Sequence, residues 1–284
     1  MNDFPEGLRI PLADWIDAIM NWLLDQFSGI FDIIGHAMLM LLLYIEKFFL
    51  FLPWWLVVGV IFLVAWRVTG KWLTALSLAA LLLLIGTFGY WKLSMMTLAL
   101  TASAVIVSLA VGLPTGILMA KNDLMESMIK PMLDAMQTMP SFVYLIPALM
   151  FFGLGKVPAL IATLIYSVPP VIRLTNVGIR QVSPAVLEAA RAFGASPRQI
   201  LFEVEVPLAI PSIMVGINQT TMMALAMVVI ASMIGARGLG LEVLLSINRI
   251  EVGRGFEAGI SIVFLAIIID RITNALASRS QQET

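Results

Sequence analysis

Six stretches of this chain contain no acidic or basic residue: 48–66, 72–91, 93–120, 135–155, 157–172 and 206–236. A seventh apolar run, 258–269, continues past Asp270 and Arg271 to about Ala277. An α-helix needs about 20 apolar residues to cross the hydrocarbon core of a bilayer. Each run is long enough, or nearly so, to form one such helix. Transmembrane barrels show instead segments of about ten alternating residues, and these runs do not alternate. The expected fold is all-α: a polytopic membrane protein with about seven transmembrane helices. Composition agrees, since 60% of the 284 residues are hydrophobic and 12% are charged, about half the charged share of a soluble domain.

The same composition excludes several classes of function. A net charge of -1 provides no basic face for nucleic acid. With no cysteine, disulfides, thiol catalysis and thiolate metal sites are ruled out. The single histidine, His36, cannot build a histidine cluster for a metal, and its apolar setting points to packing rather than to a pH switch. No nucleophile–base constellation is visible, so neither a catalytic residue nor a metal site is expected.

The N-terminus, MNDFPEGLRI, lacks the basic segment and apolar core of a signal peptide. Residues 11–34 place Leu12, Trp15, Ile16, Ile19, Leu23, Phe27, Ile30 and Ile34 at helical spacing, with Asp14, Asp17, Asp25 and Asp32 opposite. This pattern predicts an amphipathic helix at the membrane interface or on the bundle. Its acidic face disfavours the anionic cytoplasmic leaflet. The apolar piece 33–45 is short for a span. Residues 1–47 are therefore expected to form an extracytoplasmic, membrane-flat segment. Two N-terminal spans (48–91), a five-helix core (93–277) and a cytoplasmic tail (278–284) follow. The bias of basic residues sets the orientation. Arg67, Lys71, Lys121, Lys130, Arg173, Arg180, Arg191, Arg198, Arg271 and Arg279 fall inside if the N-terminus is outside and the C-terminus cytoplasmic. Seven basic residues, including Arg9, Lys156 and Arg237, fall outside.

Pro114, Pro140, Pro147, Pro169 and Pro170 interrupt apolar runs. Backbone groups freed by proline in lipid find partners in neighbouring helices or in a water-filled cavity, so both ordinary kinks and a transport path fit. Asn218, Gln219, Thr220 and Thr221 form a polar cluster within an apolar run. They are candidate pathway residues, as is Tyr144, although hydrogen bonding between helices explains the cluster equally well. Asp270 and Arg271 are expected to snorkel or to pair with each other, and Arg173 to snorkel.

The most informative segment is the polar loop 182–207, VSPAVLEAARAFGASPRQILFEVEVP. Ser183 with Pro184, and Ser196 with Pro197, have the form of helix starts. Gln199 stands where a capping box needs it. Gly194 lies between the two helices, where a left-handed residue ends the first. Pro207 is expected to end the second helix at the membrane. The loop is thus expected to fold as helix–turn–helix.

Glu188, Ala189, Ala190, Gly194, Val204, Val206 and Pro207 resemble the EAA loop of ABC importer permeases. That pattern is E-A-A, three residues, G, nine residues, then two apolar residues separated by one position and followed by P. Residues 133–182, 218–240 and 255–273 further resemble the permease of glycine betaine and proline betaine importers, the ProW type, so that the likeness covers about residues 50–275. Arg237 departs from the small residues common there. The resemblance implies a type I ABC importer (MetI-like) core. It also implies that the loop is a coupling helix docked on a separate ATP-binding subunit, where Ala189 and Ala190 allow close approach and Glu188 offers a charge. Two permease copies, two ATP-binding subunits and an extracytoplasmic substrate-binding protein would complete the assembly in a bacterial inner membrane. The chain has no G-x-x-x-x-G-K-S/T phosphate loop and so is expected to bind no cofactor itself. ATP and Mg would be bound by the partner.

The loop does not separate substrates. A permease for another small solute (amino acid, choline or sulfonate) remains open at this stage. The alternative from another class is an ion-coupled secondary transporter, which usually carries ionisable residues in mid-span.

Overall fold

A computed structural model describes residues 10–280. The polar stretch before Ile10, including Arg9, and the last four residues of the tail lie outside the described residues. Among those described there is no strand. Helices α1 (Leu12–Phe51), α2 (Trp54–Thr69), α3 (Trp72–Thr87), α4 (Trp91–Lys121), α5 (Asp123–Thr138) and α6 (Leu145–Phe152) come first. Then follow α7 (Lys156–Ser167), α8 (Pro169–Arg180), α9 (Pro184–Ala192), α10 (Pro197–Gln199), α11 (Val206–Ala226), α12 (Val228–Ser232), α13 (Leu239–Arg249) and α14 (Val252–Ser280).

Five helical stretches are long and apolar enough to cross a membrane: 12–51, 91–121, 156–180, 197–232 and 252–277. At 16 residues each, α2 and α3 are shorter. They correspond to the uncharged runs that begin at Phe48 and Trp72. Pro53 separates the first from α1.

Three expectations need correction. First, residues 12–51 form one continuous helix of 40 residues, not an amphipathic helix followed by a separate short apolar piece. No proline stands at the proposed junction, and Gly35 there is held within the helix, where a Cβ would stand 3.3 Å from the Phe152 ring. Second, 135–155 is not one straight span. Pro140 follows the end of α5, residues Ser141–Tyr144 form a 3-10 turn, and the two arms meet at 111°. Proline disfavours helix at the residue before it, and Met139 is accordingly extended, with ψ 138. Third, Pro207 does not end a helix. A widened π turn over Ile200–Glu205 leads directly into α11, with Pro207 in its first turn, where a missing N–H is tolerated.

Helices α4, α8 and α11 pack on one another at the centre. Glycines set how close they come. A Cβ on Gly116 of α4 would stand 2.7 Å from the Ile172 carbonyl, and one on Gly178 of α8 would stand 2.7 Å from the Ser212 Cβ. Small residues at such crossings let backbones approach where lipid offers no hydrophobic drive between helices. Around this centre α1 covers Ala99, Leu100 and Ala148 through Leu42, Met38 and Phe49. The α2–α3 pair lies on α14 through Ala75, Leu82, Leu265 and Ile268. Trp54, Leu63, Ile106, Leu118, Ile146 and Val263 point outward and are exposed, the apolar exterior expected of a bundle in lipid.

Candidate functional site

Loop 182–207 folds as two short helices joined by a tight turn. Ser183 occupies the N-cap of α9, with Pro184 in the first turn, but its hydroxyl makes no capping bond. The second start is fully capped. Ser196 Oγ accepts from the Gln199 N–H and the Ser196 N–H donates to Gln199 Oε1 at 2.9 Å, so two otherwise free donors are satisfied. Between them Gly194 has φ +84, a left-handed conformation that a Cβ disfavours. The Ala195 N–H reaches back to the Ala190 carbonyl at 3.1 Å, closing the helix end as in a Schellman turn.

The loop presents an unpartnered surface. No residue of α9 is buried. Glu188 and Ala189 are exposed, Ala190 is half-buried, and Phe193 at the tip is 91% exposed. Val204 and Val206 turn inward and are half-buried, and Val206 packs beside Ile179, Ala209 and Ile213. Pro207 is half-buried as well. The motif therefore divides into an outward set (Glu188, Ala189, Gly194) and an inward set (Val204, Val206, Pro207).

The polar cluster on α11 is split. Asn218 Nδ2 donates to Asp270 Oδ1 at 3.0 Å and to Asn274 Oδ1 at 3.3 Å, and its Oδ1 accepts from Thr273. Asn274 also donates to Asp270 at 2.8 Å. This seam joins α11 to α14. It engages Asp270 with amides rather than with the neighbouring Arg271, which corrects the expected pairing. Gln219 is exposed. Thr221 bonds the Ile217 carbonyl of its own helix at 2.8 Å. Thr220 is buried with no partner for its hydroxyl. Tyr144 is buried in the 3-10 turn, where its hydroxyl donates to the Met136 carbonyl across the 111° bend and its ring meets Tyr166 edge-on at 6.2 Å. His36 is exposed beside a groove lined by Phe31, Phe151 and Phe152.

Sequence reasoning missed two charged groups at the ends of the loop. Arg180, the last residue of α8, is ion-paired with Asp123 and Glu126. Glu205, the unspecified position between Val204 and Val206, is buried and pairs with Lys121. Arg173, partly exposed, pairs with Asp134. A Glu flanked by apolar Val204 and Val206, at the position the motif leaves open, was the one available signal. Among the described residues no group of acidic, histidine or cysteine side chains is arranged for a metal.

Residues 112–282 match the family described as binding-protein-dependent transport system inner membrane component. The chain is 45% identical over 282 residues to GbuB, a glycine betaine/carnitine transport permease protein of Listeria monocytogenes, covering 98% of this chain and 100% of the relative. It is 44% identical to ProW, a glycine betaine/proline betaine transport system permease protein of Escherichia coli, covering 96% of this chain and 77% of the relative. OpuAB, a glycine betaine transport system permease protein of Bacillus subtilis, is 44% identical, covering 93% and 94%. In fold the chain is similar to one from an inward-facing MetNI methionine ABC transporter, with a TM-score of 0.58, 20% identity, and coverage of 65% of this chain and 93% of that one. A helical bundle with an apolar exterior, matched by that family over residues 112–282 and by near-full-length relatives, has one assignment: the chain belongs to the inner membrane components of binding-protein-dependent ABC transport systems.

Proposed function

We propose that the chain is the permease subunit of an ATP-driven importer for quaternary-ammonium osmoprotectants, glycine betaine and proline betaine foremost. The observation that carries the coupling half of this reading is the outward face of loop 182–207: Glu188, Ala189 and the left-handed Gly194 on a capped, rigid turn. The substrate half is supported by the relatives. Those 43–45% identical over nearly the whole chain are named for glycine betaine. More distant ones are named for trimethylamine N-oxide, carnitine and choline. All these solutes carry a methylated, positively charged nitrogen, which aromatic faces recognise.

In the working assembly two copies of the chain form the pathway and two ATP-binding subunits dock on the two coupling loops. A separate extracytoplasmic protein delivers the solute. ATP and Mg are held by the ATP-binding subunits, and this chain performs no hydrolysis. The N-terminus lies outside and the C-terminus in the cytoplasm. That orientation is supported by the basic-residue bias, and the 2.6 Å pair between Glu46 of α1 and Lys156 at the start of α7 keeps those two ends on the same side of the core. Gln219, exposed on α11, is the residue of the polar cluster best placed to face the pathway or the second copy. ATP supplies the differential free energy between the states, since a solute bound equally in both shifts nothing.

The test uses the chain with its ATP-binding subunit and binding protein in cells. Gly194→Asp is expected to abolish glycine betaine uptake and to weaken co-purification of the ATP-binding subunit while the permease still inserts. Normal uptake with normal co-purification removes the coupling assignment. No saturable uptake of labelled glycine betaine or proline betaine, together with saturable uptake of an unrelated amino acid, removes the substrate assignment.

A further inference from the structure

Both feet of loop 182–207 are tied to the same place. Arg180, at the end of α8, donates through Nη2 to the Met119 carbonyl at 2.8 Å and to Asp123 at 2.6 Å. The same nitrogen lies 3.1 Å from Glu126. Its Nε donates to Asn176 at 3.1 Å, and Asn176 donates in turn to Glu126 at 3.1 Å. Glu205, at the other foot, is 5% exposed and pairs with Lys121. Met119, Lys121, Asp123 and Glu126 all belong to the corner where α4 meets α5. The corner itself is stiff, because Asn122 caps α5 by accepting from Leu124 and Met125 at 2.9 and 3.2 Å.

Helix α5 has little else to hold it, since Leu133 is its only fully buried residue. Its carboxylates Asp123, Glu126 and Asp134 face Arg173, Asn176 and Arg180 of α8. The spacing of three and four residues puts that α8 set on one helix face. Thin apolar packing is free to slide, whereas the buried Glu205 carboxylate pulled from Lys121 is left unpaired at high cost; the exposed pairs of Arg180 with Asp123 and Arg173 with Asp134 add less. Displacing the loop therefore carries the corner with it.

We propose that the α4–α5 corner receives the loop's movement, with Arg180 and Glu205 as positioning residues that clamp it. The inference rests on loop 182–207 being the coupling element. Motion of the loop then turns α5 about the 111° bend and reaches Tyr144, whose hydroxyl spans that bend. The pathway is thus driven through α5 as well as through α8 and α11.

The experiment reconstitutes the permease with its ATP-binding subunit and binding protein in proteoliposomes and reads glycine betaine transported per ATP hydrolysed. That ratio does not change when fewer complexes merely fold. Arg180→Gln and Glu205→Gln are each expected to lower it about tenfold while the ATP-binding subunit still co-purifies. Arg180→Lys stays low, because an ammonium cannot reach the carbonyl and both carboxylates in the guanidinium's geometry. The exchanged pair Lys121→Glu with Glu205→Lys recovers most of the ratio. Wild-type ratios in both Gln variants overturn the clamp. So does an exchanged pair no better than Glu205→Gln, and so does one that fails to assemble. Gly194→Asp separates the two readings: defective Gly194→Asp beside normal Arg180→Gln and Glu205→Gln removes the clamp alone, and normal behaviour in all three removes the coupling loop itself.

Discussion

Replacing Gly116 by Ala adds one methyl group at the crossing of α4 and α8, and the structure says what it meets. The new Cβ would stand 2.6 Å from the Thr175 Cβ, 2.7 Å from the Ile172 carbonyl oxygen and 3.0 Å from the Thr175 Cγ2. The first two contacts decide the outcome, because neither a Cβ nor a backbone oxygen can rotate away as the far end of a side chain can. Restoring an ordinary contact of 3.4 Å moves α8 back by about 0.7 Å, and a radial gap of that size forfeits about a quarter to a half of the dispersion energy across the rest of the interface. Overpacking of this kind destabilises by about 1–3 kcal/mol. Gly59→Ala on α2 is the control, since nothing lies within 4 Å of its Cβ position. There helix propensity alone applies and favours Ala by about 1 kcal/mol. Equilibrium unfolding of the purified permease in mixed micelles measures both. Gly116→Ala as stable as wild type would refute the claim that glycine sets the α4–α8 separation, and destabilisation by Gly59→Ala would show that the contact reasoning fails in general.

Other perturbations have equally definite outcomes. Asn218→Leu removes donors from Asp270 and the acceptor for Thr273, and is expected to lower stability by about 1–3 kcal/mol. If the seam is structural, adding Asp270→Leu recovers part of that loss in the same unfolding assay, because the half-buried carboxylate is then no longer left without the Asn218 donor. Ser196→Ala removes one half of the capping box and is expected to destabilise α10 by about 1 kcal/mol, seen as faster hydrogen exchange confined to residues 197–205. Tyr144→Phe loses the bond to Met136 and is expected to lower stability by about 1 kcal/mol. Unfolding of the variant in the same micelles reads this directly, and an unchanged midpoint refutes the bond's role at the bend.

Much of this protein was legible before any coordinates. Long uncharged runs need no partner to declare themselves: each must satisfy its own backbone, and in lipid a helix does so locally. The second start in loop 182–207 was equally local, since a serine, a proline and a glutamine within four positions suffice for a capping box. Gly194 marked its own left-handed turn. Local signals also misled. The acidic-faced start of the chain and the apolar piece after it differ in composition, yet nothing between them breaks a helix, and α1 runs through both. The run 135–155 reads as a span by hydropathy alone, but Pro140 and the 3-10 turn bend it.

What no reading of the chain could supply is the set of ties between distant residues. Asn218 and Asp270 are 52 positions apart, and nothing near either one names the other. Glu205 stands at a position the motif leaves open, and its partner, Lys121, lies on another helix. Hydrophobicity and capping act over a few residues, so the chain alone determined which segments are helical and where its exposed loop turns. Pairing of charges and close approach of glycines depend on how helices are arranged in space, and only the tertiary structure decided which corner that loop is fastened to.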